Sequence, residues 1–231
     1  MKILAIILAR KGSKRIVNKN IAKIGKKKLV ERTIFLGKKI KLFENILLST
    51  DDKRIFRLGK KNKILVPWLR PKSISKDKST SFATLIHAYN WYVKNYSAVD
   101  GIFLLQPTSP FRKMKTIINM INLYKKNSFR SIIAVSKVDK NPGWFLRLGK
   151  NNKIIPFLKR RYFNSRSQDL VSIYSLNGLG YLLNPKDIKK EKTLIPQNSI
   201  AYICKSKIES LDIDFKEDLY MARAINFYSG L

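Results

Sequence analysis

Cysteine, histidine and acidic residues are all scarce in this chain. The 231 residues include one cysteine, Cys204, and one histidine, His87. An internal disulfide is therefore excluded, and nothing near Cys204 offers the paired Cys or His spacing of a zinc site. Long apolar runs are missing as well. Lys2 followed by Ile3–Ala9 imitates a signal peptide, but Arg10, Lys11, Lys14 and Arg15 come at once, with no small-residue cleavage site. No later run approaches the roughly eighteen residues of a spanning helix. The chain reads as a soluble, cytoplasmic protein that crosses no membrane, with Ile3–Ala9 as a buried first strand.

Asp and Glu number 15 against 48 Lys and Arg, a formal charge of +33. Such an excess points first to nucleic acid or an anionic membrane. Here it is mostly lysine, spread from end to end beside abundant Ile and Asn, as A/T-rich codon usage produces. It lacks the clustering and interleaved aromatics of a dedicated nucleic-acid binder. The reading is no specific nucleic-acid partner, and a positive field that attracts polyanions, nucleotides included.

What is present is a full core: 45% of residues are hydrophobic, enough for one α/β domain over residues 1–231. Continuous apolar runs at Ile3–Ala9, Ile46–Leu48, Gly101–Leu105 and Ile132–Val135 suit strands covered on both faces. Helical patterns lie between them. Phe82, Leu85, Ile86, Tyr89 and Val93 follow the helical repeat with Thr80 or Ser81 as cap, and Leu29–Ile40 and Lys115–Tyr124 behave likewise. Alternation of this kind predicts a Rossmann-like, mostly parallel sheet with helices on both faces, which binds ligands beyond the carboxyl ends of its strands. Residues 137–176 break the rhythm with Asn141-Pro142-Gly143-Trp144, Pro156 and an arginine-rich patch. They are expected to form an excursion that covers the cleft or meets a second subunit. Trp144, Phe145, Phe157, Tyr162 and Phe163 give residues 141–164 the composition of a homodimer interface.

After the first strand comes a loop, Leu8 to Asn20, with one glycine, one serine and five cationic side chains. At a strand end it can wrap a polyphosphate: Gly12 permits close backbone approach, exposed N–H groups bind oxygens, and Arg10, Lys14 and Lys19 neutralise charge. It matches neither a Walker A loop nor G-x-G-x-x-G. Composition alone is equally consistent with a solvated basic turn. Far along the chain, Asp212 and Asp214 place two hard carboxylates at i, i+2, one face of an extended segment, within a knot of scarce acids that includes Glu209, Glu217 and Asp218. That favours a Mg²⁺ (or Mn²⁺) site. The structural alternative makes Asp214 the cap of a helix beginning near Lys216, with Glu217 and Asp218 in its first turn. Several other residues read as structure: His87 as solvent-facing, Trp91 and Trp144 as packing, and Asp51 as a turn or supporting residue.

These segments, in order, resemble one family. Ala9-Arg10-Lys11-Gly12-Ser13-Lys14 with Lys19-Asn20 and Gly25-Lys26 is similar to the N-terminal signature of the acylneuraminate cytidylyltransferases, the CMP-sialic acid synthetases and their legionaminic and pseudaminic relatives. Ser49-Thr50-Asp51-Asp52, Leu69-Arg70-Pro71 with Asp77 and Ser79-Thr80-Ser81, and Leu104-Leu105-Gln106-Pro107-Thr108-Ser109-Pro110-Phe111-Arg112 follow. Asn177-Gly178 with Tyr181 and Leu211-Asp212-Ile213-Asp214 complete the set. The chain departs from the family at Arg15 and Val17, where Gly and Pro are usual, and at Lys140-Asn141-Pro142, where His-His-Pro is common. Ser167 stands for an arginine of Arg-Arg-Gln-Asp-Leu.

The resemblance implies transfer of CMP from CTP to the anomeric hydroxyl of a nine-carbon α-keto acid sugar, with release of pyrophosphate. In it Arg10, Gly12, Ser13, Lys14 and Lys19 hold the triphosphate. Asn20, Arg70 and Ser81 contact the cytidine, Gln106, Tyr181 and Arg166 face the sugar, and Asp212 and Asp214 bind the metal. Two alternatives stand beside it. The cytidylyltransferases for the eight-carbon acid Kdo have a Pro-Ala-Arg-x-x-Ser-x-Arg loop without the Lys-Asn pair, and a non-catalytic RNA or polyanion binder would use only the basic surface.

Overall fold

The structure is a computed structural model and describes residues 1–76, 79–166 and 169–230. Asp77, Ser167 and Gln168 of the motifs above lie outside the described residues. The elements run β1 (Ile3–Leu8), β2 (Lys23–Ile24), β3 (Lys27–Lys28), α1 (Leu29–Lys39), β4 (Phe43–Ser49), α2 (Lys53–Lys61), α3 (Ser81–Asn95) and β5 (Gly101–Leu105). They continue with α4 (Met114–Lys126), β6 (Ile132–Lys137), β7 (Leu146–Leu148), β8 (Ile154–Pro156), β9 (Tyr174–Leu183), α5 (Pro185–Glu191), β10 (Ile200–Ile203) and α6 (Lys216–Ser229).

Six strands form the central sheet in the order β10-β6-β9-β5-β1-β4. β1 pairs in parallel with β4 and β5, and β10 with β6, while β9 runs antiparallel between β5 and β6. The predicted parallel sheet is therefore present with one reversed strand in its middle. Alternation along β1 explains why helices cover both faces. Ile3, Ala5 and Ile7 enter one core with Val30 and Ile34 of α1 and Ile117 and Met120 of α4. Leu4 and Ile6 enter the other with Leu85, Tyr89 and Tyr92 of α3 and Ile188 of α5.

α3 begins where the sequence placed it, with the Thr80 hydroxyl accepting from Ala83 N at 3.1 Å. His87 corrects the sequence reading. It is half-buried and its ring meets Trp68 edge-on, 5.1 Å between centroids. Its Nδ1 finds no partner among the described residues. Burial, with the charge of Arg70 adding to it, holds its pKa below the usual histidine value.

A third, smaller core positions the site. Ile16 of the basic loop, Ile24, Leu29, Phe111, Ile213, and Leu219 and Ala222 of α6 pack together. One apolar cluster thus anchors the loop after β1, the loop after β5 and the segment before α6. The excursion carries a separate two-stranded sheet, β7 against β8, and its Leu148 and Ile154 stand 70% and 63% exposed.

Candidate active site

A cleft of about 380 Å³ opens at the carboxyl ends of β1 and β5. It gathers Arg10, Gly12, Ser13, Lys19 and Asn20 of the first loop, Arg70, Ser81 at the start of α3, Gln106 to Thr108, and Asp212 with Asp214. Lys14 lines an adjoining hollow with Arg10, Ser13, Arg15, Lys19 and Asp214. Residues separated by two hundred positions therefore meet in one place.

Hydrogen bonds shape the basic loop from several sides. Lys11 N donates to the Asp51 carboxylate at 2.7 Å, and the Asn20 amide donates to the Arg10 carbonyl at 2.9 Å. Asn18 takes a left-handed backbone, φ 57°, and its side-chain oxygen accepts from Arg54 at 2.7 Å; Arg54 also pairs with Asp52, the cap of α2. A Cβ at Gly12 would meet nothing within 4 Å, so the backbone there is open to close approach. Asp51, set aside in the sequence, is a supporting residue of this loop.

Arg70 is buried and donates to the Ser49 hydroxyl at 3.0 Å and to the Ser49 carbonyl. Burial pushes its pKa down to about 10, nearby Arg10 acts in the same direction, and Asp51 opposes them. A guanidinium so placed is still charged at neutral pH and is rigid. On the far wall, Lys19 donates to the Ile213 carbonyl at 2.8 Å and to Asp214 at 3.1 Å, and Arg15 lies 3.8 Å from Asp214.

Ile213 is fully buried in the small core, and its neighbours Asp212 and Asp214 line the cleft instead. Ile213 N donates to the Thr108 carbonyl at 2.9 Å, which fixes the register of this segment. Burial pushes the Asp212 carboxyl above its usual pKa and Asp214 adds to this, while a bond from the Thr108 side chain, Lys19 and Arg112 oppose. Oδ1 of Asp212 is buried without a partner among the described residues. An orphaned carboxylate oxygen beside a second carboxylate suits a hard cation, as does this donor set. No group of three or more His, Cys, Asp or Glu that could hold a metal ion occurs among the described residues, so further ligands would come from water or the substrate.

Two structural expectations change here. Asp214 does not cap α6: Asp218 does, accepting from Asp214 N at 2.9 Å and from Phe215 N at 2.7 Å. The reciprocal position of an acid three residues inside a helix was the signal for it. Arg112, quoted only as the end of a motif, is buried and ties its loop to β9 by donating to the carbonyls of Leu179 and, at 3.0 Å, Gln106. Gly178, at φ 68°, gives way to Asp212: a Cβ there would sit 2.8 Å from Oδ2.

Two predicted sugar contacts are not brought to the cleft lining. Tyr181 is buried in β9 opposite Leu104 and Ile133, close enough to Asp212 for that charge, second to burial, to raise its pKa. Arg166 is exposed on the excursion, none of whose described residues lines the cleft.

Comparison with known proteins agrees with this geometry. Residues 4–221 match the family model described as Cytidylyltransferase. The chain is 33% identical over 93% of its length to CMP-N,N'-diacetyllegionaminic acid synthase of Legionella pneumophila, covering 91% of that protein. It is 31% identical over 97% of its length to N-acylneuraminate cytidylyltransferase of Escherichia coli, of which it spans 52%. With pseudaminic acid cytidylyltransferase of Campylobacter jejuni the identity is 28%, over 97% of this chain and 96% of that one. The solved structure of CMP:2-keto-3-deoxy-manno-octonic acid synthetase complexed with CTP superposes over the full length of both chains with a TM-score of 0.69, at 13% identity, which shows the shared fold alone. With the family model spanning nearly the whole sequence, the chain belongs to the cytidylyltransferase family and is a nucleotidyltransferase.

Proposed function

We propose that the chain joins CMP from CTP to the anomeric hydroxyl of a nonulosonic acid of the legionaminic or sialic type, releasing pyrophosphate in the cytoplasm. The observation that carries this reading is the meeting, in one cleft, of a cationic strand-end loop and the carboxylates of Asp212 and Asp214. The similarity to the Legionella, Escherichia and Campylobacter proteins supplies the sugar class.

In this reading Arg10, Lys14 and Lys19 hold the β- and γ-phosphates, and backbone N–H groups around Gly12 and Ser13 approach them closely. Arg70 and Ser81, with Asn20, meet the cytidine, and Gln106 faces the sugar. Asp212 and Asp214 would hold Mg²⁺, which when bound polarises the α-phosphate and offsets its charge. The sugar hydroxyl attacks the α-phosphorus in line, its proton is released, and pyrophosphate leaves with the electron pair of the broken bond. Positioning and charge neutralisation do the work, and no covalent nucleophile is needed.

The exposed β7–β8 hairpin suits a homodimer, since Leu148 and Ile154 present apolar surface that a second copy would cover. Arg166 would then serve the neighbouring subunit's sugar. Light scattering at micromolar concentration tests this part, and a fully active monomer overturns it. The reaction itself is tested by pyrophosphate release with CTP, UTP, ATP and GTP against sialic, legionaminic, pseudaminic and Kdo acids. Strong preference for CTP and a nine-carbon acid is expected; turnover confined to Kdo, or equal turnover with UTP, overturns it.

A further inference from the structure

Behind the catalytic loop lies a second cavity, of about 610 Å³, whose lining shares no residue with the cleft. It is framed by the β2–β3 turn, α1, the loop after β5 and the end of α6. The lining carries Lys26, Lys27, Arg32 and Lys39 and no carboxylate, so a ligand entering it would be anionic.

The wall is not only basic. Phe35 and Phe227 also line it, and they stand 40% and 80% exposed. Lys27 Nζ lies 4.9 Å from the centre of the Phe35 ring. Exposed aromatic faces beside cationic groups are the combination that holds a base and a phosphate together. The volume lies within the range that encloses a small organic ligand.

We propose that this cavity is a second binding site for a nucleoside phosphate, distinct from the catalytic cleft. The phosphate takes the field of Lys27, Arg32 and Lys39, and the base lies against Phe35 or Phe227. The site stands on its own residues, so it survives or fails independently of the catalytic reading.

Equilibrium dialysis of CTP against the full chain, without sugar acceptor and at moderate salt, tests it. Two classes of site per chain are expected. Lys27→Glu with Lys39→Glu should weaken one class by about tenfold or more, and Phe227→Ala should weaken the same class. Arg70→Ala should weaken the other. CMP should displace CTP from the class that the lysine variants weaken at lower concentration than inorganic phosphate does. A wild-type chain with no class of site that Lys27→Glu with Lys39→Glu weakens overturns the proposal. Inorganic phosphate competing as well as CMP also overturns it, because the site would then read an anion without a base. Loss of the Arg70-dependent class alone, in the wild-type chain, would count against the catalytic reading and leave this one intact.

Discussion

Replacing Gly178 by alanine should move the cleft's most buried carboxylate without touching it chemically. Gly178 has φ 68°, a conformation that costs an L-residue roughly 1–2 kcal/mol. The smaller entropy of the unfolded alanine chain returns about 0.4–1 kcal/mol. The new Cβ would stand 2.8 Å from Asp212 Oδ2, 2.9 Å from its Cγ and 3.1 Å from Gln106 Oε1. Asp212, the nearer neighbour, does not give way freely. Asp212 is bonded by the Thr108 side chain, and its segment is pinned through Ile213 N. Relief therefore takes the form of a shift of the carboxylate by several tenths of an ångström. Net destabilisation of about 1 kcal/mol lowers the melting temperature by roughly 2–4 °C in a chain of this size. A misplacement approaching an ångström at a reacting centre costs up to about a hundredfold in rate, so turnover should fall about ten- to a hundredfold. Thermal melts and pyrophosphate release on the same preparation measure both. Wild-type turnover in Gly178→Ala would refute the reasoning, because it would mean that the position of Asp212 is irrelevant to the chemistry.

Gly12→Ala is the complementary case: its Cβ meets nothing within 4 Å, so thermal stability should be unchanged while the KM for CTP rises about tenfold through lost close approach. Asp212→Asn and Asp214→Asn should each lower turnover by about two orders of magnitude or more and blunt the Mg²⁺ dependence, with melting temperatures nearly unchanged; near-normal rates at limiting Mg²⁺ would defeat the metal assignment. Asp218→Ala removes the acceptor for two backbone N–H groups and should destabilise by about 1 kcal/mol, a loss that Asp214→Asn does not share. His87, with its pKa lowered by burial, contributes stability above its ordinary value of 6.5 that is lost as pH falls; His87→Gln should therefore flatten the decline of urea midpoints below about pH 6.5.

Much of the frame was legible in the sequence because β1 and β5 are continuous apolar runs, and β4 and β6 contain shorter ones at Ile46–Leu48 and Ile132–Val135, the pattern of strands covered on both faces. β9 was not. Its first residues are exposed, Asn177 and a left-handed Gly178 interrupt its apolar run, and Gly180 interrupts it again, so its strand signal is short and broken. The first loop and the two aspartates were legible from charge and spacing, and Arg70, Ser81 and Gln106 from motif order, which survives whatever the tertiary path. Arg166 and Tyr181 came from the same source, and the cleft of a single chain does not include them. His87 escaped because its helix face is set by what Trp68, in a loop, does to it. Periodicity within a helix contains no information about that neighbour.

The close contact of Lys19 with Asp214 invites the view that opposite charges assemble the cleft. Magnitudes favour another cause. Asp214 is half exposed and Arg15 reaches into solvent, although Lys19 is 16% exposed, and a pair with one member so open to water contributes about 0–1 kcal/mol. Ile213 between the two aspartates is fully buried, and burying such a side chain contributes about 1.5–3 kcal/mol. Ile16 and Phe111 pack in the same cluster, so the basic loop, the loop after β5 and the acidic segment are each fastened by an apolar residue adjacent to the polar ones. Salt should therefore weaken nucleotide binding by screening the cleft while leaving its shape intact. Charge in this protein is held in position by the oil beside it, and is free to be spent on the substrate.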